Sequence, residues 1–258
     1  MRAIDLSGKT ALVTGVANHR SLAWAIAQAL GDAGCRLAFT YQGDRLRESV
    51  TDLASAYPGS PVLPCDVSKD DEMDAVFSRL EQEWGKLHVF IHSIAFAPRN
   101  ELEGEFRKTT RAGWNTALEV SAFSFVALAH RAARLMTDEW GAMLTLTYQA
   151  SQRVFPNYNV MGSAKAALEH AVRQLAFELG PAGVRVNAVS AGPVSTLSSR
   201  GVSGFTGMLS ENRERAPLRR NIEAREVGDA ALFLCSPLAS GITGQVVYVD
   251  AGYGIMGV

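Results

Sequence analysis

The chain has 258 residues, 47% of them hydrophobic, which is enough to bury a sizeable core in one domain. Its formal net charge of -1 and pI near 6.5 give no electrostatic reason to expect nucleic acid or an anionic membrane as a partner. The charged N-terminus, the lack of any apolar run near ~18 residues and three widely spaced cysteines predict a soluble, cytoplasmic protein without membrane span, disulfide framework or metal site.

The chain opens with a strand, a glycine turn and a helix. The apolar run at residues 10–14 is followed by Gly15 and then by a helical segment at residues 21–30. In a doubly wound fold this turn binds a dinucleotide, because the helix N-terminus presents free N–H groups to the pyrophosphate. The turn lacks the G-x-G-x-x-G pattern, so taken alone it is a weak indication.

Strands and helices alternate through the rest of the chain. Further strands are predicted at residues 36–41, 61–65, 87–91, 142–147, 184–189 and 245–249. Helices are predicted around residues 46–53, at 69–84 behind a near capping box of Ser68 and Asp71, at 114–136 as one or two helices, at 157–180 and at 226–235. The pattern predicts a Rossmann-like doubly wound α/β fold in a single domain spanning 1–258, with a seven-stranded, mostly parallel sheet and helices on both faces.

Several marked residues follow the predicted strands directly. They are Gly15, Gln42, Asp66, Ile94, Tyr148 and Gly192. Ligands of such sheets bind beyond the carboxyl ends of the strands, so these positions predict a single site at one edge.

The segment at residues 190–217 is long and rich in Ser and Gly, yet it carries scattered apolar residues such as Phe205 and Met208. Long segments of this kind are often functional, and their apolar residues need a partner. We therefore predict a substrate lid at about residues 194–216. Residues 195–209 are expected to be mobile without ligand and ordered by cofactor plus substrate.

Tyr158 and Lys165 are the candidate chemical groups, with Tyr148 supplied by the preceding strand. Seven residues at ~100° each bring Lys165 to within ~20° of Tyr158 on a helix, about 10 Å along the axis. An ammonium near a phenol or a sugar hydroxyl favours hydrogen-bond donation to a developing oxyanion. The spacing alone is common, and the alternative is a packed tyrosine with a solvated lysine.

Four stretches of the chain resemble the bacterial enoyl-[acyl-carrier-protein] reductases of the short-chain dehydrogenase/reductase superfamily. They are residues 14–24 (TGVANHRSLAW), 92–98 (HSIAFAP), 156–165 (PNYNVMGSAK) and 185–193 (RVNAVSAGP). The resemblance extends over essentially the full length. Carbonyl-reducing relatives place the lysine four residues after the tyrosine, whereas here Met161 stands four residues before Lys165. The Tyr-x6-Lys spacing is that of the enoyl reductases.

The resemblance implies NADH-dependent reduction of trans-2-enoyl-[acyl-carrier-protein] thioesters, the last reductive step of the fatty-acid elongation cycle. Tyr158 would be the catalytic donor, Tyr148 a second active-site phenol, Lys165 the residue that holds the nicotinamide ribose, and Ala97 a substrate contact. The implied cofactor-binding residues are Gly15, Ser21, Leu22, Gln42, Asp66, Val67, Ile94, Lys165, Val194, Ser195, Thr196, Leu197 and Ser198. An acyl carrier protein as partner and a homotetramer follow from the resemblance only.

The chain departs from the family pattern at Ser195, where many relatives carry a basic residue, and at Ala95, where glycine is frequent. A short-chain carbonyl (3-ketoacyl) reductase is the alternative enzyme, and its lysine spacing does not match. A binding module that has lost catalysis is expected to lack the tyrosine or the lysine, and both are present. The arginines at 213, 215, 219 and 220 are equally compatible with an acidic carrier protein and with a solvated or intersubunit surface.

The predicted cofactor is NADH rather than NADPH. Gln42, at the end of the second strand, can hydrogen-bond a ribose hydroxyl but cannot neutralise a phosphate, and Asp44 nearby would repel one. Arg45 and Arg47 argue the other way, since they lie close behind in the following helix.

Overall fold

The structure is a computed structural model that describes residues 4–136, 140–196 and 204–257. Within these ranges seven strands form one sheet in the order β3-β2-β1-β4-β5-β6-β7. The strands are β1 (Thr10–Val13), β2 (Arg36–Tyr41), β3 (Val62–Pro64), β4 (Val89–His92), β5 (Gly141–Thr147), β6 (Val184–Ala191) and β7 (Val246–Val249). Every neighbouring pair is parallel. The predicted doubly wound fold is confirmed, with a fully parallel sheet.

Helices cover both faces of this sheet. They are α1 (Leu22–Asp32), α2 (Asp44–Ala54), α3 (Asp70–Trp84), α4 (Arg111–Leu118), α5 (Ser124–Ala133), α6 (Asn159–Leu179), α7 (Phe205–Arg215) and α8 (Ala224–Cys235). Buried residues of α1, α2 and α8 belong to one core cluster, and those of α3, α5 and the later turns of α6 belong to a second. The strand order reverses between the neighbouring strands β1 and β4, because β2 and β3 follow β1 on one side and β5 to β7 follow β4 on the other. This reversal is the switch point at which such folds bind ligands.

The burial of β1 shows why its sequence is apolar throughout. Ala11 and Val13 face one core cluster, and Leu12 between them faces the other; all three are completely buried. Successive side chains of a strand point to opposite faces, so a strand covered on both sides needs a continuous apolar run. No described helix of the chain is both long and apolar enough to cross a bilayer.

Three local expectations differ from the structure. The helix expected from residue 157 begins at Asn159, because Asn157 adopts a positive φ of 61° in the turn before it; Asn159, the first helical residue, has a φ of 27°. The region 114–136, predicted as one or two helices, holds the two helices α4 and α5, joined by the π-helical turn Glu119–Phe123.

The other two differences concern the start of α3 and the helix α7. Ser68 does not cap α3, since its backbone N–H and its hydroxyl both donate to Asp66 at 3.0 and 2.7 Å. The helix α7 lies within the predicted lid, for which the sequence predicted no helix.

Candidate active site

A cavity of about 620 Å³ lies along the carboxyl edge of the sheet. Its size and mostly apolar lining are those of a small-molecule or cofactor site. The predicted site residues that line it are Gly15, Ser21, Leu22, Gln42, Val67, Ile94, Ala97, Tyr148, Tyr158, Lys165, Val194 and Thr196. The structure thus brings together residues that follow six different strands.

Four of the predicted cofactor residues are not among those that line this cavity. Asp66 lies between Cys65 and Val67, which both line it, and Ser195 is an exposed residue between Val194 and Thr196. Leu197 and Ser198 lie outside the described residues.

The turn between β1 and α1 is shaped to bring its backbone close to a ligand. Gly15 has a φ of +86°, and a Cβ at this position would lie 1.9 Å from the carbonyl oxygen of Ser93. The hydroxyl oxygen of Ser21 accepts the N–H groups of Ala17 and Asn18, both at 3.1 Å. These contacts curl the turn and leave the N-terminus of α1 facing the cavity, which is the geometry that binds a pyrophosphate.

Gln42 and Asp66 are coupled to each other at the β2–β3 end of the cavity. Burial alone would raise the pKa of Asp66, but hydrogen bonds from Ser68 and from the Gln42 side chain outweigh it and hold that pKa below its usual range. Asp66 is therefore an anion that orients the Gln42 amide at the edge of the cavity.

The two candidate phenols lie against each other at the β5 end. The ring centroids of Tyr148 and Tyr158 are 5.2 Å apart, at an interplanar angle of 59°. The ring centroid of Tyr148 is also 4.9 Å from that of Phe155. Burial raises the pKa of both Tyr148 and Tyr158 well above the ordinary value. Both phenols therefore stay neutral near pH 7 and can donate a hydrogen bond.

Close packing between α6 and the turn after β5 holds these rings in place. A Cβ on Gly162 would lie 2.9 Å from the carbonyl oxygen of Ala150, so the helix backbone lies directly on the 3₁₀ turn Gln149–Ser151. On the core side of α6, Val160, Ala164 and Leu168 are fully buried. The segment after Tyr148 is thereby pressed against the start of the helix that follows Tyr158.

Lys165 is a buried cation at the floor of the cavity. It is 6% exposed, and its Nζ donates a hydrogen bond of 2.8 Å to the carbonyl oxygen of Leu146. Burial lowers the pKa of Lys165 to about 8, while the Glu169 carboxylate opposes that decrease. The lysine is thus held at the strand end with N–H donors remaining for a ligand.

His92 lies next to the site but is occupied by structural contacts. The hydroxyl of Ser124 donates to the Val120 carbonyl at 2.7 Å, so it accepts the Nε2–H of His92 at 2.9 Å. The His92 Nδ1 then accepts from the hydroxyl of Thr145, also at 2.9 Å. Burial lowers the pKa of His92 to about 3, so the ring is neutral.

The predicted lid contributes to the cavity through a helix. Phe205 and Met208 of α7 line the cavity together with Val194 and Thr196. The sequence identified these apolar side chains but not their helix. It also missed Glu169, whose only signal was its place four residues after Lys165, one helical turn further along.

Comparison with known proteins places the chain in a family. Residues 15–254 match a family model described as Enoyl-(Acyl carrier protein) reductase. The enoyl-[acyl-carrier-protein] reductase [NADH] FabI of Bacillus cereus is 53% identical over 254 residues, covering 98% of this chain and 99% of the relative. The FabI of Escherichia coli is 47% identical over 251 residues, covering 97% and 95%.

Solved structures agree with the sequence comparison. A crystal structure of the Bacillus cereus reductase with NADP+ and an indole naphthyridinone superimposes with a TM-score of 0.96, covering 98% of this chain and 99% of that one. The Anaplasma phagocytophilum reductase in complex with NAD gives a TM-score of 0.95 at 43% identity, covering 100% and 98%. Likeness of this extent in sequence and structure shows that the chain belongs to the enoyl-[acyl-carrier-protein] reductase family.

Proposed function

We propose that this chain catalyses the NADH-dependent reduction of the 2,3 double bond of trans-2-enoyl-[acyl-carrier-protein] thioesters, the last reductive step of fatty-acid elongation. The observation that carries the proposal is the placement of Tyr158, Tyr148 and Lys165 together at one end of a single cavity. Its other end reaches the β1–α1 turn and Gln42, so a dinucleotide and an acyl substrate can meet within it.

The residues fit a dinucleotide cofactor. The Gly15 turn and the N-terminus of α1 would hold the pyrophosphate, Gln42 and Val67 the adenosine end, and Lys165 the nicotinamide ribose. Ile94 and Val194 would flank the remainder, together with the other cofactor residues implied by the family resemblance. When bound, NADH supplies the hydride that adds to the β-carbon of the enoyl thioester.

Tyr158 stabilises the charge that the reaction creates. Negative charge develops on the thioester oxygen as the double bond is reduced, and the neutral phenol of Tyr158 donates a hydrogen bond to that oxygen. Loss of one such donor typically costs ~10² to 10³ in turnover. Tyr148, 5.2 Å away ring to ring, confines the position of Tyr158 and provides a second phenol near the same oxygen.

Lys165 contributes through position and charge. Its ammonium donates to the Leu146 carbonyl, and Lys165 lines the same cavity as Tyr158. It binds ribose hydroxyls and adds positive potential where the oxyanion forms. Ala97, which lines the cavity with 8% exposure, offers an apolar contact to the acyl chain.

The proposal also covers the domain organisation, the partner, the location and the assembly of the enzyme. The chain is one reductase domain, 1–258, with a substrate lid at about 194–216, of which Phe205 and Met208 of α7 line the cavity. The substrate is carried by an acyl carrier protein, the enzyme works in the cytoplasm, and it assembles as a homotetramer.

One assay tests the function directly. NADH oxidation is followed at equal concentrations of a trans-2-enoyl thioester and of a 3-ketoacyl thioester. We expect reduction of the enoyl substrate alone, because Tyr158 and Lys165 are seven residues apart. Comparable turnover of both substrates would exclude the proposed specificity, and a Tyr158→Phe variant serves as the control for a reaction at this site.

A further inference from the structure

A second, much smaller cavity lies behind the catalytic Tyr148. It holds about 10 Å³ and is lined by Tyr148, Gln149, Asn212, Asp250 and Tyr253, together with residues 190–193 at the end of β6. This volume corresponds to the space of about one water molecule, which is the smallest cavity that a water can occupy.

Two side chains that line this small cavity have buried polar atoms without a partner. Gln149 is 5% exposed and Asn212 is 2% exposed. The Nε2 of Gln149 and the Oδ1 of Asn212 make no hydrogen bond within the described chain. Each unsatisfied buried amide atom carries a substantial desolvation cost, so native structures rarely leave two of them at one cavity.

Asn212 connects this cavity to the substrate side of α7. Phe205, Met208 and Asn212 stand at i, i+3 and i+7, so they share one face of the helix. Phe205 and Met208 line the large cavity, and Asn212 lines the small one. Of the eleven α7 residues, all of them described, Asn212 is the one that is fully buried. The attachment of α7 therefore depends on a polar residue more than on apolar packing.

The other polar groups at the cavity complete a water site. The Nδ2 of Asn212 donates to the Oδ1 of Asn221 at 3.1 Å, which fixes the amide with its oxygen left over. The two oxygens of Asp250 accept the N–H groups of Gly252 and Gly254 at 2.8 and 2.7 Å and keep lone pairs for a further donor. A buried water typically has about three such partners.

We propose that one buried water molecule bridges the side-chain amides of Gln149 and Asn212 and thereby ties α7 to the turn that carries Tyr148. The occupant must accept from the Gln149 amide and donate to the Asn212 oxygen. Water does both, whereas an ammonium ion cannot accept and a chloride ion cannot donate. Water also satisfies the pair if the Gln149 amide is turned over, because it can donate to both oxygens.

The bridge makes Gln149 and Asn212 positioning residues for the substrate. Gln149 is adjacent to Tyr148, and Asn212 is one turn beyond Met208 on the helix whose Phe205 and Met208 line the large cavity. The bridge therefore holds Phe205 and Met208 in register with the two catalytic phenols. The bridge itself does not depend on which thioester the enzyme reduces.

A double-mutant cycle of Gln149→Met and Asn212→Leu tests the bridge in the full-length protein. Hydrogen exchange of the α7 amides is measured in the wild type, both single variants and the double variant. We expect each single change to speed exchange about tenfold, because it leaves the other amide with a water that has lost a partner. The double variant removes both amides. Its α7 exchange should therefore be faster than that of the wild type by about the same factor as in the more affected single variant.

Two further measurements separate positioning from general destabilisation. Both single variants should raise the KM for the enoyl thioester while leaving the KM for NADH within about twofold, since α7 covers the acyl end. Ser210→Ala is the matched control, because it removes the exposed Ser210–Glu214 hydrogen bond from the same helix. It should leave exchange and both KM values unchanged.

Three outcomes would overturn the proposal. The first is a double variant whose exchange factor is closer to the product of the single factors than to the larger one. The second is unchanged α7 exchange in both single variants. The third needs no variant: a wild-type crystal structure at about 1.5 Å resolution that shows no water between the two amides.

Discussion

The hydroxyl of Thr147 donates a hydrogen bond of 2.7 Å to the buried carboxylate of Glu169. Thr147 follows Leu146, whose carbonyl holds Lys165, and Glu169 lies one helical turn beyond Lys165 on α6. The Glu169 carboxylate is 3% exposed and raises the pKa of Lys165 against the effect of burial. His92 on β4 is the other titratable neighbour of Lys165, and its ring is neutral. Glu169 is therefore the group that stabilises the ammonium.

Glu169→Gln should move the pH range over which the enzyme binds NADH. A ligand that binds the ammonium form loses affinity as the pH rises through the pKa of Lys165 in the free protein, which is about 8. Removing the carboxylate lowers that pKa further, so the loss should begin at a lower pH. The amide can still accept from Thr147, which keeps the packing intact. The dissociation constant of NADH is measured by fluorescence from pH 6 to pH 9.

The control for this change is Glu178→Gln on the exposed side of the same helix, where the carboxylate accepts a hydrogen bond from Gln174. Its pH profile should match that of the wild type. Identical profiles for all three proteins would mean that Lys165 does not depend on Glu169 for its charge.

Lys165→Ala should weaken NADH binding more than Tyr158→Phe does. The ammonium is assigned to the ribose, whereas the phenol is assigned to the thioester oxygen. Tyr158→Phe should instead lower kcat by ~10² to 10³ with little change in cofactor affinity. Calorimetric titration of both variants with NADH decides this. Equal losses of affinity would show that the two roles are wrongly assigned.

The strands could be predicted because a buried parallel strand must be apolar on both faces, as Ala11, Leu12 and Val13 are. The alternation of strands and helices also predicts that Gly15, Gln42 and Tyr148 lie at one edge of the sheet. The predicted positions of these residues follow from the local sequence pattern and from the rule that ligands bind at strand ends. The sequence therefore predicted that these residues lie around one cavity, and they line it.

Features set by contacts distant in sequence could not be predicted in this way. The helix α7 gives a weak pattern, because it buries only the polar Asn212 and contains Gly207. A local contact was missed as well: Ser68 was expected to cap α3, but its hydroxyl donates to Asp66, two residues earlier in the chain. The link between Thr147 and Glu169 joins residues 22 positions apart, and neither residue reveals its partner in the sequence.

Gly15→Ala should disrupt the cofactor turn for two separable reasons. The residue would have a strained φ of +86°, and its Cβ would overlap the Ser93 carbonyl oxygen. Gly59 has a similar φ of +82° with no heavy atom near its Cβ position, so Gly59→Ala measures the backbone cost alone. That cost is about 1–2 kcal/mol. We expect Gly15→Ala to lower the free energy of unfolding by more and to abolish NADH binding, as measured by urea unfolding and titration.

A Gly15→Ala protein that is no less stable than Gly59→Ala and still binds NADH would contradict the close approach of this turn to β4.

The enzyme should prefer NADH to NADPH because of the side chains at the end of β2. Gln42 lines the cavity and its amide is bound to the anionic Asp66, so the group that meets the adenosine ribose is neutral and backed by negative charge. A 2'-phosphate with a charge near -2 would be repelled there. Arg45 and Arg47 are the opposing consideration, and both are exposed on the first turns of α2. The ratio of kcat/KM for the two coenzymes on one enoyl thioester measures the preference.

Two variants identify the cause of that preference. Gln42→Arg supplies a cation at the ribose, and it should shift the ratio toward NADPH by at least tenfold, ~1.4 kcal/mol. Arg45→Ala should leave the ratio unchanged, since the arginine is not among the residues that line the cavity. A wild-type preference for NADPH that disappears in Arg45→Ala would show that this arginine turns back to the ribose and outweighs Asp66. Gln42→Arg changes a side chain that lines the cavity and Arg45→Ala one that does not, so the two ratios show which side chain sets the preference.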